Sequence, residues 1–280
     1  MIPVDEVRRK IEAFAQLPAS ALADEARAVV DALLDALEAG CVRAAEPTPD
    51  GWRVNAWVKQ GILLGFRAGA VAASEPAGPL AFVDKDTFPA RRFGPADGVR
   101  VVPGGTAVRR GAHLASGVVV MPPAYVNVGA FVGEGSMIDS HALVGSCAQV
   151  GRRVHLSAGA MLGGVLEPVG AMPVVVEDEA LIGGNCGVYE GTIVSRRAVL
   201  GAGVMLTGGI TVYDLVRKTT YRRDGGVPLR IPEGAVVVPG SRKLLDSYAE
   251  RFGLSLQCPV IVKYRDEKTD ASAALEEALR

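Results

Sequence analysis

Aliphatic residues recur at every sixth position through the middle of the chain. The series runs from Val102 to Leu162, resumes at Val176 and continues to Val212, and Ile231 and Val237 repeat it once more. A period of six fits neither the turn of an α-helix nor the alternation of an ordinary strand. It is typical of a parallel β-helix with three short sides per coil, each side pointing one aliphatic side chain inward.

Two interruptions divide this repeat. Leu162 and Val176 are fourteen residues apart, which we interpret as two hexads plus two residues and as a small loop insertion over 166–174. A longer excursion covers 213–230. Glycine follows the aliphatic position in six hexads, where we expect sharp turns or positive φ. These glycines are Gly133, Gly145, Gly151, Gly163, Gly183 and Gly201.

Helical patterns precede the repeat. Residues 4–39 predict two helices, with Ser20 as the N-cap of the second and Gly40 at its end. The segment PTPDG (47–51) predicts a turn. The amphipathic segment that follows it predicts a helix after Asn55.

Three further segments complete the layout of the chain. Residues 67–98 are rich in Pro and Gly and predict a linker, CPVIVKY (258–264) predicts a strand, and 270–280 predicts a short helix. We therefore expect a mainly β protein with three parts. They are an N-terminal helical domain with its linker (1–98), a β-helix (99–240) and a small C-terminal cap (241–280).

Composition and charge narrow the functional classes. The 280 residues are 49% hydrophobic and 5% aromatic, so an aliphatic core is expected. The net charge of −1 argues against a nucleic-acid-binding protein and against a strongly acidic disordered chain. No apolar run is long enough for a membrane-spanning helix, and the charged start MIPVDEVRRK argues against a signal peptide. Four widely spaced cysteines indicate free thiols in a reducing cytoplasm. We expect Cys147 and Cys186 to serve packing.

Asp139 is the sharpest exception to the repeat. It follows the inward Ile138, in the position that glycine occupies in six other hexads. A carboxylate there can act as a general base or can anchor an amine nucleophile. It can equally be a turn residue that bonds its own backbone. The sequence leaves both interpretations open.

The histidines and the paired basic residues offer weaker signals. His113, His141 and His155 could ligate zinc, but their hexad positions differ and they should not converge within one subunit. Basic pairs such as Arg222-Arg223 are expected to be solvated turn residues, although those near the C-terminal end of the coil could hold phosphates.

Longer phrases make the chain resemble a known family. These phrases are VVPGG (101–105), MIDSHALVGSCAQVG (137–151), GGVLEP (163–168), IPEGAVVVPGS (231–241) and CPVIVKY (258–264). In them the chain resembles the tetrahydrodipicolinate N-succinyltransferases of lysine and diaminopimelate biosynthesis.

The resemblance implies a left-handed parallel β-helix that forms a homotrimer in the cytoplasm, with active sites between subunits. It implies transfer of the succinyl group of succinyl-CoA to the amine of 2-amino-6-oxopimelate, the ring-opened form of tetrahydrodipicolinate. Succinyl-CoA is a cosubstrate, and no metal or permanently bound cofactor is expected. The alternatives are another CoA-dependent N-acyltransferase, with acetyl-CoA or a different amino acid, and a structural or zinc-dependent β-helix protein.

Individual site residues follow from the same resemblance. Asp139 matches the catalytic acid of the family, and Arg100 matches an arginine that binds the dicarboxylate substrate. The resemblance further implies CoA contacts at Ser157, Gly164, Gly184, Ala202, Arg217, Lys218 and Arg242.

Two positions depart from the pattern of the family. His141 stands where many members have Trp, and Gly187 stands where many have a second catalytic Glu. We therefore expect Asp139 to act alone, or Glu190 or His141 to take the second role. His141 is also a candidate for substrate binding.

Overall fold

Three α-helices precede the repeat in the computed structural model, which describes residues 2–22, 24–74 and 82–266. They are α1 (Val4–Phe14), α2 (Asp24–Glu38) and α3 (Ala56–Ala68). Gly40 ends the α2 segment with a φ of 73°, as predicted. The predicted cap at Ser20 is wrong, because Ser20 lies in a separate 3-10 turn and α2 begins only at Asp24.

The three helices pack on one another through a common apolar face. Val7 and Ile11 of α1, Leu33 of α2 and Ile62 of α3 are buried in the same cluster. At Gly61 a β-carbon would lie 2.3 Å from Leu33 Cδ2. Glycine is therefore needed at this position for α3 to approach α2 closely.

One hairpin lies between α2 and α3, and a second lies between α3 and the coil. Strands β1 (Ala45–Thr48) and β2 (Gly51–Val54) confirm the predicted turn between them. Strands β3 (Val71–Ser74) and β4 (Phe82–Lys85) pair within the segment predicted as a linker. The buried Phe88 packs on Phe66 of α3, with ring centroids 4.4 Å apart. The described part of that segment is therefore packed structure and no free linker.

The remainder of the chain winds through three parallel sheets, here named A, B and C in the order in which each coil visits them. Sheet A contains β7 (His113–Leu114), β10 (Phe131–Val132), β13 (Gln149–Val150), β16 (Val175–Val176), β19 (Ile193–Val194) and β24 (Arg230–Ile231). Sheet B begins with β5 (Arg100–Val101), β8 (Val119–Val120), β11 (Met137–Ile138), β14 (His155–Leu156), β17 (Leu181–Ile182) and β20 (Val199–Leu200). Sheet C contains β6 (Ala107–Val108), β9 (Tyr125–Val126), β12 (Leu143–Val144), β15 (Met161–Leu162), β18 (Gly187–Val188) and β21 (Met205–Leu206).

Strand register confirms the 18-residue coil. Met137 pairs with Val119 on one side and with His155 on the other, each 18 residues away. The aliphatic residue of each side is fully buried in the axis of the coil, as at Ile138 and Leu156. The first strand is shifted by one residue, because Val101 and not Val102 pairs with Val120. The buried repeat therefore starts at Val108.

The first interruption is larger than the sequence suggested. Gln149 pairs with Val175, which is 26 residues later instead of 18. The loop after β15 therefore adds eight residues to a single coil, and the interpretation as two hexads plus two residues is wrong. The loop begins directly after Leu162 and ends at Val174.

The C-terminal strands extend sheet B beyond the coil. After β20 come β25 (Ala235–Lys243), β26 (Ser255–Tyr264), β22 (Val212–Asp214) and β23 (Thr219–Tyr221), with the short helix α4 (Ser247–Arg251) between β25 and β26. Val212 is buried, but β22 pairs with β26 and does not stack on β19. The place predicted for Val212 is taken by Ile231, which pairs with Val194.

The boundary proposed at residue 240 falls inside β25. The predicted strand at 258–264 is confirmed within β26, while the helix expected at 270–280 lies outside the described residues. Within the described ranges, no helix is both long and apolar enough to cross a membrane.

Glycines in the coil allow the backbones of adjacent coils to approach closely. At Gly133 a β-carbon would lie 2.5 Å from the carbonyl oxygen of Gly151, and at Gly145 it would lie 2.3 Å from the backbone nitrogen of Gly164. Neither glycine has positive φ, nor do the other four in the same hexad position, so positive φ is not the reason for glycine there. Most of these glycines are required because a side chain would collide with the neighbouring coil.

The helical domain is fixed to the coil by buried polar contacts. Arg43 donates from Nε to Gln149 Oε1 at 2.9 Å, and its guanidinium lies 3.7 Å from the centroid of the Phe131 ring. Burial lowers the pKa of Arg43 to about 10, against the raising effect of Asp178. Lys59 of α3 is fully buried and donates from Nζ to the carbonyl oxygen of Ala171, 2.6 Å away.

Candidate functional site

One edge of the coil gathers four of the predicted site residues. Each time the chain passes from sheet B to sheet C it turns at the same corner, here named the B–C edge. Asp139 and Ser157 occupy equivalent positions there in consecutive coils, because β11 and β14 pair in register. Gly184 and Ala202 turn the same corner in the next two coils, after β17 and β20. Neighbouring coils are about 4.8 Å apart. Gly184 and Ala202 lie one residue further along the corner than Asp139 and Ser157, because Leu156 pairs with Ile182 and Ile182 with Leu200.

Asp139 uses its two carboxylate oxygens differently. Oδ1 accepts a hydrogen bond from the backbone nitrogen of Ser140 at 2.6 Å, which fixes the rotamer of the side chain. Oδ2 faces His155, with 3.8 Å between it and Nε2. The side chain of Asp139 retains 31% of its exposure, so it can be reached from solvent. The turn interpretation thus describes one oxygen, whereas the second faces His155.

His155 was not predicted as part of this site. It precedes the inward Leu156 and points away from the axis, as do Met137 and Asp139 in the coil before it. The 18-residue spacing places 155 beside 137, but hexad positions alone do not show that the side chains of His155 and Asp139 meet diagonally. A histidine beside a carboxylate can orient it or exchange a proton with it.

The other two candidates for substrate binding are His141, in the same coil as Asp139, and Arg100, two coils before it. His141 turns the B–C edge with a φ of 62°, is exposed, and donates its backbone N–H to Pro123 at 2.6 Å. Arg100 lies on the outer side of sheet B, in line with Val119 and Met137. It is two coils from Asp139, which corresponds to about 10 Å.

Glu190 and Gly164 lie at a different corner, where the chain passes from sheet C to sheet A. This corner is here named the C–A edge. A cavity of about 630 Å³ opens there between the insertion after β15 and the loop that follows β23. Its lining residues include Gly164, Tyr189, Glu190, Thr207 and Arg223. Within a single chain the structure therefore does not bring Glu190 to Asp139.

Gly187 explains why the second glutamate of the family pattern is missing here. It is buried in β18, and a β-carbon on it would lie 2.4 Å from Tyr189 Cε2 and 2.6 Å from Met205 Cε. Tyr189 occupies the space that a longer side chain at this position would need. Glu190, three residues later, is exposed and accepts a hydrogen bond from the backbone nitrogen of Gly208 at 2.5 Å.

The three basic residues expected to contact CoA phosphates fall into two places. The Arg217 guanidinium lies 4.1 Å above the ring of Tyr264, in the turn between β22 and β23 that also holds Lys218. Tyr264 pairs with Ala235 at the start of β25, whereas Arg242 lies near its far end. Seven residues of strand separate these points by roughly 23 Å. One phosphate cannot bind both arginines of the same chain.

The remaining histidine and the cysteines have structural surroundings. His113 stacks on Phe131, and its Nδ1 lies 2.8 Å from the carbonyl oxygen of Glu38. Cys147 and Cys186 are buried, and burial raises the pKa of the Cys147 thiol to about 12, against the lowering effect of Lys59. All four cysteines are free thiols. In the described part of the chain, no group of three or more His, Cys, Asp or Glu residues is arranged to hold a metal ion.

Comparisons with known proteins first define the class. Residues 173–208 match the family model "Hexapeptide repeat of succinyl-transferase", in agreement with the coil and its 18-residue register. The protein is a hexapeptide-repeat acyltransferase. Residues 6–68, which cover α1 to α3, match the model "Tetrahydrodipicolinate N-succinyltransferase N-terminal".

Curated relatives define the family. The chain is 43% identical over 265 residues to a 2,3,4,5-tetrahydropyridine-2,6-dicarboxylate N-succinyltransferase of Nitrobacter hamburgensis, covering 91% of this chain and 90% of the relative. It is 44% identical over 269 residues to the protein of the same name from Polynucleobacter asymbioticus, covering 94% and 92%. The chain belongs to the family of 2,3,4,5-tetrahydropyridine-2,6-dicarboxylate N-succinyltransferases.

Proposed function

We propose that the protein transfers the succinyl group of succinyl-CoA to the amine of 2-amino-6-oxopimelate, a step of the succinylase branch of lysine and diaminopimelate biosynthesis. The observation that carries this proposal is Asp139 at the B–C edge, the corner that Ser157, Gly184 and Ala202 also occupy in the following coils. It is supported by the names of relatives that match nine-tenths of the chain. The four free thiols favour a cytoplasmic setting.

The B–C edge is suited to an extended thioester. Gly184 and Ala202 lack bulky side chains, so the pantetheine arm of CoA can lie against the backbone of two adjacent coils. Ser157 lies between them and Asp139 and can donate its hydroxyl to the arm. The thioester carbon is thereby brought to the level of Asp139, in the near-attack geometry that acyl transfer requires.

Asp139 activates the amine in this proposal. Its Oδ2 accepts a proton from the attacking amine or orients the amine by a hydrogen bond. The nitrogen forms a bond to the succinyl carbonyl carbon, and a backbone N–H stabilises the negative charge on the oxygen. The carbon–sulfur bond then breaks and CoA leaves as the thiolate, which takes up a proton. No covalent intermediate with the protein is needed.

Arg100 supplies the charge that the acceptor requires. Its guanidinium is a fixed positive fork that fits a carboxylate of the amino dicarboxylate. Its position on the outer side of sheet B, about two coils from Asp139, suits a substrate whose carboxylates lie several bonds from the reacting nitrogen.

The acyl donor and the acceptor can be tested together. The assay measures release of the CoA thiol with succinyl-CoA or acetyl-CoA and a panel of amino dicarboxylates, including 2-amino-6-oxopimelate. We expect kcat/KM to be highest for succinyl-CoA with 2-amino-6-oxopimelate. A preference for acetyl-CoA, or for an unrelated amino acid, would contradict the proposal and favour another N-acyltransferase.

A further inference from the structure

The cavity at the C–A edge carries an unbalanced set of charges. Among the residues that line it, Glu167 and Glu190 are acidic and Arg223 is the one basic side chain. The rest of the wall is backbone, proline, small residues and the hydroxyl groups of Tyr189 and Thr207, with a few apolar side chains. Without Arg223 the cavity would repel any anionic ligand.

Arg223 and Glu190 both lie beside Gly208. A β-carbon on Gly208 would lie 2.4 Å from Glu190 Oε2 and 3.5 Å from Arg223 Nη1. The carboxylate and the guanidinium therefore face the same stretch of backbone. Glu190 is held there by the backbone nitrogen of Gly208, and Arg223 Nη1 faces the same residue.

We propose that Arg223 binds a carboxylate of the reactants in this cavity, an inference that rests on the proposed function. Both reactants carry such a group: the acceptor is a dicarboxylate, and the succinyl group ends in a carboxylate that an acetyl group lacks. A guanidinium that faces a cavity offers two parallel N–H donors to a carboxylate. Glu190, beside it, is placed to attract the ammonium form of the amino group.

The volume of the cavity agrees with this ligand class. About 630 Å³ lies in the range of small-molecule sites, which are mostly 300 to 1,000 Å³. The loops on both sides of the cavity are the insertion after β15 and the excursion after β23, which are the two interruptions of the repeat. The two segments that interrupt the hexapeptide repeat thus form much of the cavity wall.

Arg223→Gln tests the inference, with Arg222→Gln as the matched control. Arg222 is the preceding residue, is also exposed, and does not line the cavity. We expect the KM of one reactant to rise about tenfold or more in Arg223→Gln, the scale of a lost charge-assisted hydrogen bond. Arg222→Gln should behave as the wild type. Arg223→Lys should restore KM in part, because lysine keeps the charge without the fork.

The reactant whose KM rises in Arg223→Gln shows which carboxylate Arg223 binds. A higher KM for the amino acceptor alone would assign Arg223 to the acceptor. A higher KM for succinyl-CoA, with a smaller preference for it over acetyl-CoA, would assign Arg223 to the acyl group. Unchanged constants in Arg223→Gln, with an active wild type, would overturn this inference alone. A wild type that releases no thiol with any pair of reactants would overturn the proposed function as well.

Discussion

At the scale of single residues, the two carboxylate oxygens of Asp139 have different surroundings. The bond from Ser140 holds Oδ1, and the adjacent His155 lies 3.8 Å from Oδ2. The sequence indicated Asp139 because a carboxylate replaced glycine in a regular repeat. It did not indicate His155, since hexad positions alone hide which residues of adjacent coils lie diagonally opposite.

Asp139→Asn should lower kcat by at least about 100-fold, because asparagine keeps the shape of the side chain but cannot accept the proton. The thiol-release assay measures this loss, and the melting temperature and oligomeric state of the variant serve as controls. Turnover close to that of the wild type would remove Asp139 from the mechanism.

Gly133 shows how tightly single positions restrict the coil. In Gly133→Ala the new methyl group would lie 2.5 Å from the carbonyl oxygen of Gly151, which is backbone and cannot rotate away. We expect a loss of about 1–3 kcal/mol in the free energy of unfolding, as for other overpacked sites. Urea denaturation measures it.

Gly209→Ala is the control for this prediction. A β-carbon at Gly209 would meet nothing within 4 Å, and its φ is not positive. The substitution should change the free energy of unfolding by less than about 1 kcal/mol. Equal losses in both variants would show that stacking distance is not the reason for glycine at 133.

At the scale of elements, helix α3 supports the insertion after β15. The ammonium of Lys59 is buried and donates to the carbonyl oxygen of Ala171, a residue in the cavity wall. Burial lowers the pKa of Lys59, against a weaker raising effect of Cys147. An α-helix of the N-terminal domain thus fixes a loop of the coil, which links the two parts of the chain.

Lys59→Met should loosen this loop and leave the fold intact. Methionine fills a similar volume but cannot bond the carbonyl of Ala171, a bond worth about 1.5–3 kcal/mol for a charged donor. We therefore expect backbone amides of 163–174 to exchange hydrogen at least about tenfold faster, as measured by hydrogen–deuterium exchange. Lys85→Met, which removes a bond to the carbonyl of Gly69, is the control. Unchanged exchange in Lys59→Met would refute the support by α3.

The predictions of secondary structure were most accurate where the sequence showed a clear local pattern. The turn at 47–51, the helix after Asn55 and the stacked strands are confirmed. Errors occurred where tertiary contacts override a local signal. Ser20 does not cap α2, and the Pro/Gly-rich segment near Phe88 packs under α3. Val212 has the period of the coil, but its strand pairs with the C-terminal strands.

At the scale of the whole molecule, the site candidates of one chain lie at two corners. Asp139 is on the B–C edge and Glu190 is on the C–A edge. A ring of three copies around an axis parallel to the coil can place the B–C edge of one copy against the C–A edge of the next. This geometry fits the homotrimer with active sites between subunits that the resemblance implies.

The native mass should therefore be about three times 29.1 kDa. Light scattering or sedimentation measures it, and mixing provides a second test. Trimers assembled from Asp139→Asn chains and Arg223→Gln chains should recover part of the activity if one site draws on two copies. A stable monomer with full activity would contradict a shared site.

The sequence by itself determined the repeating unit and the inward residues, and it marked Asp139 as an exception to the repeat. It could do so because each coil contacts only its neighbours, so that local periodicity and the fold carry the same information. Only the tertiary structure decided the length of the insertion and the path of the chain after Leu206. It also placed His155 beside Asp139 and Arg223 in the cavity. These features depend on the corner of the triangular coil at which a residue lies. Once an insertion interrupts the period, the sequence no longer shows at which corner the following residues lie.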